Sequence, residues 1–275
     1  MNAPTTVNRA ATEQAIVQRT DSDGIALVVL NRPQARNALS AGMLQTLTQT
    51  LAGIAADRHI RAVVLAANGP GFCAGHDLRE ITERRNDADG GLTYTKDLID
   101  TCSAMMLSIH RMPQPVIAAV EGPASAAGCQ LVATCDLAVA SKTASFATPG
   151  VHIGLFCSTP MVALSRNVAP KHAMEMLLTG ELVSADEAYR IGLVNCIVEQ
   201  GKARDEAFKL ARKITAKSAL IVKLGKEAFY RQFDMTLPEA YRYTGQVMVE
   251  NMMTRDAKEG ISAFVEKRTP TWEDR

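Results

Sequence analysis

Apolar positions along this chain follow two rhythms. Short unbroken runs at Ile25–Leu30, 61–67, 115–120 and 136–140 read as buried strands, most of them ending at Pro, Gly or small-residue turn signals. Between them the spacing turns helical. Ser40 is a candidate N-cap for Met43, Leu44, Leu47, Leu51 and Ile54, and residues 97–111 set Leu98, Ile99, Cys102, Met105, Met106 and Ile109 on one face. Small residues at 124–128 lead into a further helix through Ala133. After Leu155 the pattern is mostly helical, over 169–178, 185–191, 204–215, 219–233 and 237–253, with one strand at 193–198. Alternating strand and helix predicts an α/β layered core over 23–200 and a C-terminal helical region over 201–275. Residues 1–22 lack an apolar core segment and are expected to be a disordered leader.

Composition narrows the partners. Thirty Lys and Arg against twenty-nine Asp and Glu leave a formal charge of +1, and only 5% of residues are aromatic. Neither a basic stripe nor stacking platforms are present, which excludes a dedicated nucleic-acid binder. No apolar run approaches the ~20 residues that span a bilayer. The six cysteines show no C-x-x-C pair and no zinc-finger spacing, so reduced thiols in a cytoplasm-like compartment and no metal site are expected.

Candidate chemistry sits in two loops where small residues follow a strand: Gly71 to Leu78 (GFCAGHDL), and Ser125 to Cys129 (SAAGC). Small residues allow close backbone approach, and a helix N-terminus adds partial positive charge. Two such loops could form an oxyanion hole, or the small residues could simply permit tight strand–helix packing. Both readings stay open on spacing alone.

An ordered series of motifs resembles the enoyl-CoA hydratase/isomerase (crotonase) superfamily over nearly all of residues 23–270. The matches are Asn31-Arg32-Pro33 with Asn37-Ala38-Leu39, Phe72 to Leu78, Ala119 to Gly122, Gly128-Cys129-Gln130-Leu131, Cys135-Asp136, and Asp256 to Gly260 through Phe264 to Arg268. Residues 128–133 and 145–150 look closest to the subgroup called enoyl-CoA hydratase domain-containing protein 3. The resemblance implies a spiral of ββα units with a helical C-terminal trimerisation region, assembled as a homotrimer or a dimer of trimers. It implies acyl-CoA thioesters as ligands, with coenzyme A arriving as part of the substrate and no tightly bound cofactor. It further implies that the peptide N–H groups of Ala74 and Ala127 form the oxyanion hole. Arg36, Asn37, Ala38, Gly75, Asp77 and Gly128 would line the CoA wall, and Phe264 and Lys267 would meet the CoA end, with Arg268 nearby. The location implied is cytoplasmic, or the mitochondrial matrix for a eukaryotic relative.

The departures carry equal weight. Hydratases of this family use two glutamates, and the matching positions here hold Gln130 and Gly150. An amide cannot act as a base near neutral pH, and glycine offers no side chain. His76 and His152 are the candidate replacements, since imidazole titrates near neutrality. Glu80, Glu83 and Asp87 read as a solvated helix face, Cys157, Ser158 and Thr159 lack an identifiable base, and Cys129 and Cys135 read as packing. An acyl-CoA-processing enzyme of fatty-acid or lipid metabolism, by hydration, isomerisation or thioester cleavage, is therefore weighed against a CoA-ester-binding protein with little catalysis.

Overall fold

A computed structural model describes residues 15–275. The chain opens with a hairpin of β1 (Val17–Ser22) and β2 (Ile25–Leu30), followed by α1 (Ala41–Ala55) and β3 (Ala62–Ala67). Next come α2 (Leu78–Arg84), α3 (Leu92–Arg111), β4 (Val116–Val120), β5 (Ala124–Ser125) and α4 (Ala127–Thr134). Then follow β6 (Leu137–Ser141), β7 (Ser145–Ala147), α5 (Pro160–Asn167), α6 (Pro170–Thr179), β8 (Val183–Ser184), α7 (Ala185–Arg190) and β9 (Cys196–Val198). Four helices end the chain: α8 (Ala203–Thr215), α9 (Ala219–Gln232), α10 (Leu237–Met252) and α11 (Arg255–Glu266).

Among the described residues two sheets form, in the orders β1-β2-β3-β4-β6-β9 and β5-β7-β8. Only β1 is antiparallel in the larger sheet, and the parallel register runs Ile25 against Ala62, Val63 against Val116, Ile117 against Leu137 and Val139 against Cys196. Successive units β4-β5-α4 and β6-β7-α5 each place their first strand in the large sheet and their second in the small one. This is the turn of a ββα spiral, and it matches the α/β class the sequence predicts.

Both faces of the large sheet are covered, which explains why its strands are apolar throughout. Val28, Leu30, Val63, Leu65, Val116 and Ala118 pack under α1, α3 and α4. On the other face Ile25, Val29, Ala62, Val64, Ile117 and Val139 meet Ala203, Ala207 and Ala211 of α8. Alanines four residues apart let α8 lie close to the strands. The sequence pattern assigns α8 to the tail beyond residue 200; in the structure it is the second layer of the core.

The expected leader needs a correction as well. Residues 17–22 are strand β1, joined to β2 by a turn in which Asp23 and Gly24 both have positive φ, 51° and 73°. Only Val17 of β1 is buried, so the strand carries no apolar alternation to read. The leader's residues 1–14 lie outside the described residues. Ser40 does cap α1, accepting the Met43 N–H at 3.1 Å.

One tie between the helical region and the core is a largely buried ion pair. Asp136 accepts hydrogen bonds from the Val116 N–H (2.7 Å), the Lys226 ammonium (2.7 Å) and the Tyr230 hydroxyl (2.8 Å). Lys226 also donates to the Ile109 and Gln114 carbonyls. Burial pulls the lysine's pKa down, and Asp136 opposes that pull.

Candidate active site at two crossing loops

The loops after β3 and β4 cross at the carboxyl ends of their strands. Phe72 N–H donates to the Pro123 carbonyl and Ser125 N–H to the Cys73 carbonyl, both at 2.9 Å. Two glycines make the crossing possible: a Cβ on Gly122 would overlap the Pro70 carbonyl, and one on Gly128 would overlap the Cys73 carbonyl. Gly128 is thus required for packing of α4 against the first loop. Asn37 is likewise held by its own fold. Its fully buried amide accepts the Arg32 N–H (2.8 Å) and donates to the Asn68 and Gly71 carbonyls (2.9 Å each), which leaves it no atom for a ligand. Ala38 is also buried.

Asp77 caps α2 through the Arg79 N–H and pairs with Arg32 at 2.6 Å. Burial pushes its carboxyl upward, but Arg32 and the backbone donors outweigh burial and hold it below the ordinary range. Arg36 is exposed.

The peptide N–H groups sort themselves. The Ala74 N–H donates to the Arg36 carbonyl at 3.0 Å, so the expected oxyanion donor at this position is already occupied. Two residues on, the backbone alternates: Gly75 O accepts from Leu39 N–H and Asp77 N–H turns to Leu39 O, leaving the His76 N–H facing away with no protein acceptor among the described residues. The Ala127 N–H is the first of α4, where no intrahelical acceptor exists and no side chain caps the end. Gly75 lies between the two donors; a Cβ there would come 3.3 Å from Ala127 N and 2.9 Å from Ala126 Cβ. Ala127 keeps a negative φ, while strain is held one residue earlier, at Ala126 with φ 50° and ψ −118°. A non-glycine residue in that region costs about 1–3 kcal/mol and is held by its surroundings, here by its N–H on the Ala147 carbonyl at 2.9 Å.

At the two positions where the resemblance implies acids, Gln130 is buried and its Oε1 has no hydrogen-bond partner. Gly150 is walled in: a Cβ would lie 2.9 Å from the Leu155 carbonyl and 3.0 Å from Cys157 Sγ. His152 is exposed and its Nε2 lies against Gly180 at the end of α6. His76 is partly exposed, with Nδ1 3.4 Å from the Leu39 carbonyl and Nε2 buried without a partner. Burial pulls its pKa below the ordinary histidine value, against the Leu39 carbonyl. Glu80 accepts the Ala41 N–H at 3.0 Å, while Glu83 and Asp87 are solvent-exposed. Burial raises the Cys157 thiol, so no thiolate nucleophile is prepared there. Cys129 and Cys135 are buried, and burial pushes Cys129 up to about 12.

Phe264 and Lys267 are not brought to the loops within one chain. The C-terminal segment is anchored near the amino edge of the sheet, where Trp272 bonds the Ala216 carbonyl and Asp274 the Ala219 N–H. Phe264 is 86% exposed, and Arg268 is held by Glu259 and Glu266. Sequence reasoning missed the free His76 N–H and the unpartnered hydroxyl of Thr148. A separate cavity of about 810 Å3 opens at the far end of α4, lined in part by His110, Asp136, Arg166 and Tyr230. Among the described residues no cluster of three metal-ligating side chains is present, and no helix is long and apolar enough to cross a membrane.

The fold is a ββα spiral whose loops cross beside two unpartnered peptide donors, and comparison with known proteins gives its class. Residues 20–275 match the family model for enoyl-CoA hydratase/isomerase, and the chain belongs to that family. The human protein named enoyl-CoA hydratase domain-containing protein 3, mitochondrial, is 46% identical over 98% of this chain and 87% of its own length. The crystal structure of that human protein superposes with a TM-score of 0.89 at 46% identity, covering 94% of this chain and all of the other. An enoyl-CoA hydratase structure from Mycobacterium smegmatis is 50% identical, with a TM-score of 0.89 over 94% of this chain and 99% of the other. These likenesses put the chain in the domain-containing protein 3 subgroup.

Proposed function

We propose that this chain binds acyl-CoA thioesters and polarises the thioester carbonyl between the peptide N–H groups of His76 and Ala127. The observation that carries the reading is that pair of unpartnered donors flanking Gly75 at the start of α4. Donors about 2.7–3.1 Å from a developing oxyanion stabilise the enolate formed when a proton leaves the α-carbon. The same stabilisation serves double-bond isomerisation and hydration in lipid metabolism. Hydration by two glutamates is not supported, because Gln130 cannot take a proton and the space at Gly150 is filled by Leu155 and Cys157. That filled space favours the second reading, a CoA-ester-binding protein without turnover.

Coenzyme A enters as part of the substrate, held on the loop side by the exposed Arg36. Association of copies through the C-terminal helices, as a trimer or a dimer of trimers, would carry Phe264 and Lys267 of one copy toward the loops of another. Exposed apolar side chains at Leu237, Tyr241, Met248 and Phe264 support such an assembly. Unpaired cysteines suit a reducing compartment, the cytoplasm or, in a eukaryotic cell, the mitochondrial matrix named for the human relative.

The test is a panel of 2-enoyl- and 3-enoyl-CoA thioesters, with binding followed by calorimetry and conjugation by ultraviolet absorbance. Binding with migration of the double bond is expected. Binding without any turnover selects the second reading, and no binding to any thioester contradicts both.

A further inference from the structure

Gly75 gives the His76 donor its place and also the freedom to leave it. With φ at 91° and no Cβ, Gly75 lies against Ala126 and Ala127, where a side chain would not fit. Glycine also resists backbone rotation least of all residues. An oxyanion donor lowers a barrier only when its direction is fixed before charge develops. Contacts beyond Gly75 must therefore hold its peptide with His76.

Segment 32–39 supplies them. Upstream, the Ala74 N–H donates to the Arg36 carbonyl at 3.0 Å, and the Leu39 N–H donates to the Gly75 carbonyl at 2.7 Å. In a trans peptide that second bond turns the opposite end, the His76 N–H, away from Leu39. Downstream the backbone grip is weaker: Asp77 N–H to Leu39 O is 3.4 Å, long for such a bond. Helix α2 begins at the next residue and has no buried residue to anchor the loop. Glu80 adds one bond a turn later, to the Ala41 N–H at 3.0 Å. The shortest contact at this end is the Arg32 guanidinium on Asp77 Oδ2, at 2.6 Å. Among the described residues Asp77 pairs with no other cation.

Arg32 is itself fixed. Its N–H donates to Asn37 Oδ1 at 2.8 Å, and its carbonyl accepts the Asn37 N–H at 3.0 Å. The cation is thus presented from a closed turn in which Arg36 and Asn37 both have positive φ, 49° and 55°. We propose that Arg32 is a positioning residue of this site, holding the downstream end of the first loop through Asp77 and thereby the direction of the His76 peptide N–H. The inference deepens the oxyanion reading above and rests on it. Arg32 makes and breaks no bond of the ligand. Its effect is directional: the pair's side chains are 28% and 11% exposed, and an ion pair open to water on one side contributes little to folding. It nevertheless joins two loops 45 residues apart, at the residue next to the donor.

The test uses the full-length protein and butanoyl-CoA, a saturated thioester that can be neither hydrated nor isomerised, labelled with carbon-13 at the thioester carbon. Infrared difference spectra read the carbonyl stretch of the bound ligand, calorimetry reads binding, and circular dichroism reads the fold. The wild type should lower the bound frequency below the free value. Arg32→Gln should fold and bind within about tenfold of the wild type, because only one hydrogen bond to the ligand is disturbed. Its bound carbonyl should move at least about halfway back to the free frequency, since a misdirected donor polarises less. Arg32→Lys keeps a cation in reach of Asp77 and should recover part of the lost shift. A full wild-type shift in Arg32→Gln overturns the proposal, and so does an Arg32→Lys spectrum no better than that of Arg32→Gln. An Arg32→Gln chain that does not fold overturns it too, because Arg32 would then act through stability. A wild type that binds no thioester, or binds it without a shift, fails the oxyanion reading itself.

Discussion

Gly150 illustrates the difference between a missing group and a missing space. The sequence shows that no carboxylate stands at Gln130 or Gly150, because side-chain identity is what a sequence spells out. It does not show that Leu155 and Cys157 occupy the volume a side chain would need. Gly150→Glu is therefore expected to give no hydratase activity, and to lower stability by about 1–3 kcal/mol through overpacking. Urea denaturation and an enoyl-CoA hydration assay check this; a stable variant that gains hydration would show that the segment moves freely. Peptide donors are equally hidden in sequence. Ala74 and His76 are two residues apart in one loop, and only pairing with the distant Arg36 carbonyl makes one occupied and the other free. Asn37 reads as a CoA contact by motif, yet its amide holds three backbone groups of its own fold.

Helices and buried strands were largely readable from apolar rhythm, since burial on one face or both writes a period into the chain. Ser40 with Met43, Leu44, Leu47, Leu51 and Ile54 gives α1 its cap and its buried face. Polar β1 escapes because it is an edge strand, and its one signal was the Asp23-Gly24 turn. The role of α8 escapes for another reason: Ala203, Ala207 and Ala211 are too small to look like a core face until the strands they touch are known. Attachment of α9 depends on Asp136, whose two oxygens receive Val116, Lys226 and Tyr230. Asp136→Ala leaves the Lys226 ammonium buried without its counter-ion, and chemical denaturation should show a loss of about 3–5 kcal/mol. A loss under 1 kcal/mol would mean that the helical region docks by apolar contact alone.

Across the molecule, chemistry and attachment lie at opposite edges of one sheet. The loops after β3 and β4 present their free donors at the carboxyl edge, while the C-terminal segment is fastened near the amino edge through Trp272 and Asp274. Near-zero net charge is compatible with the CoA ester proposed as ligand, for which a few cations, Arg36 and Lys267 in that proposal, suffice. Arg268, held by two glutamates, is not among them. The most direct test of the oxyanion pair is the infrared carbonyl stretch of an acyl-CoA labelled with carbon-13 at the thioester carbon, compared free and bound. Hydrogen bonds from His76 and Ala127 N–H should lower the bound frequency, and His76→Gln should preserve the shift because the peptide donor remains. A bound thioester whose carbonyl stretch stays at its free value would contradict the account.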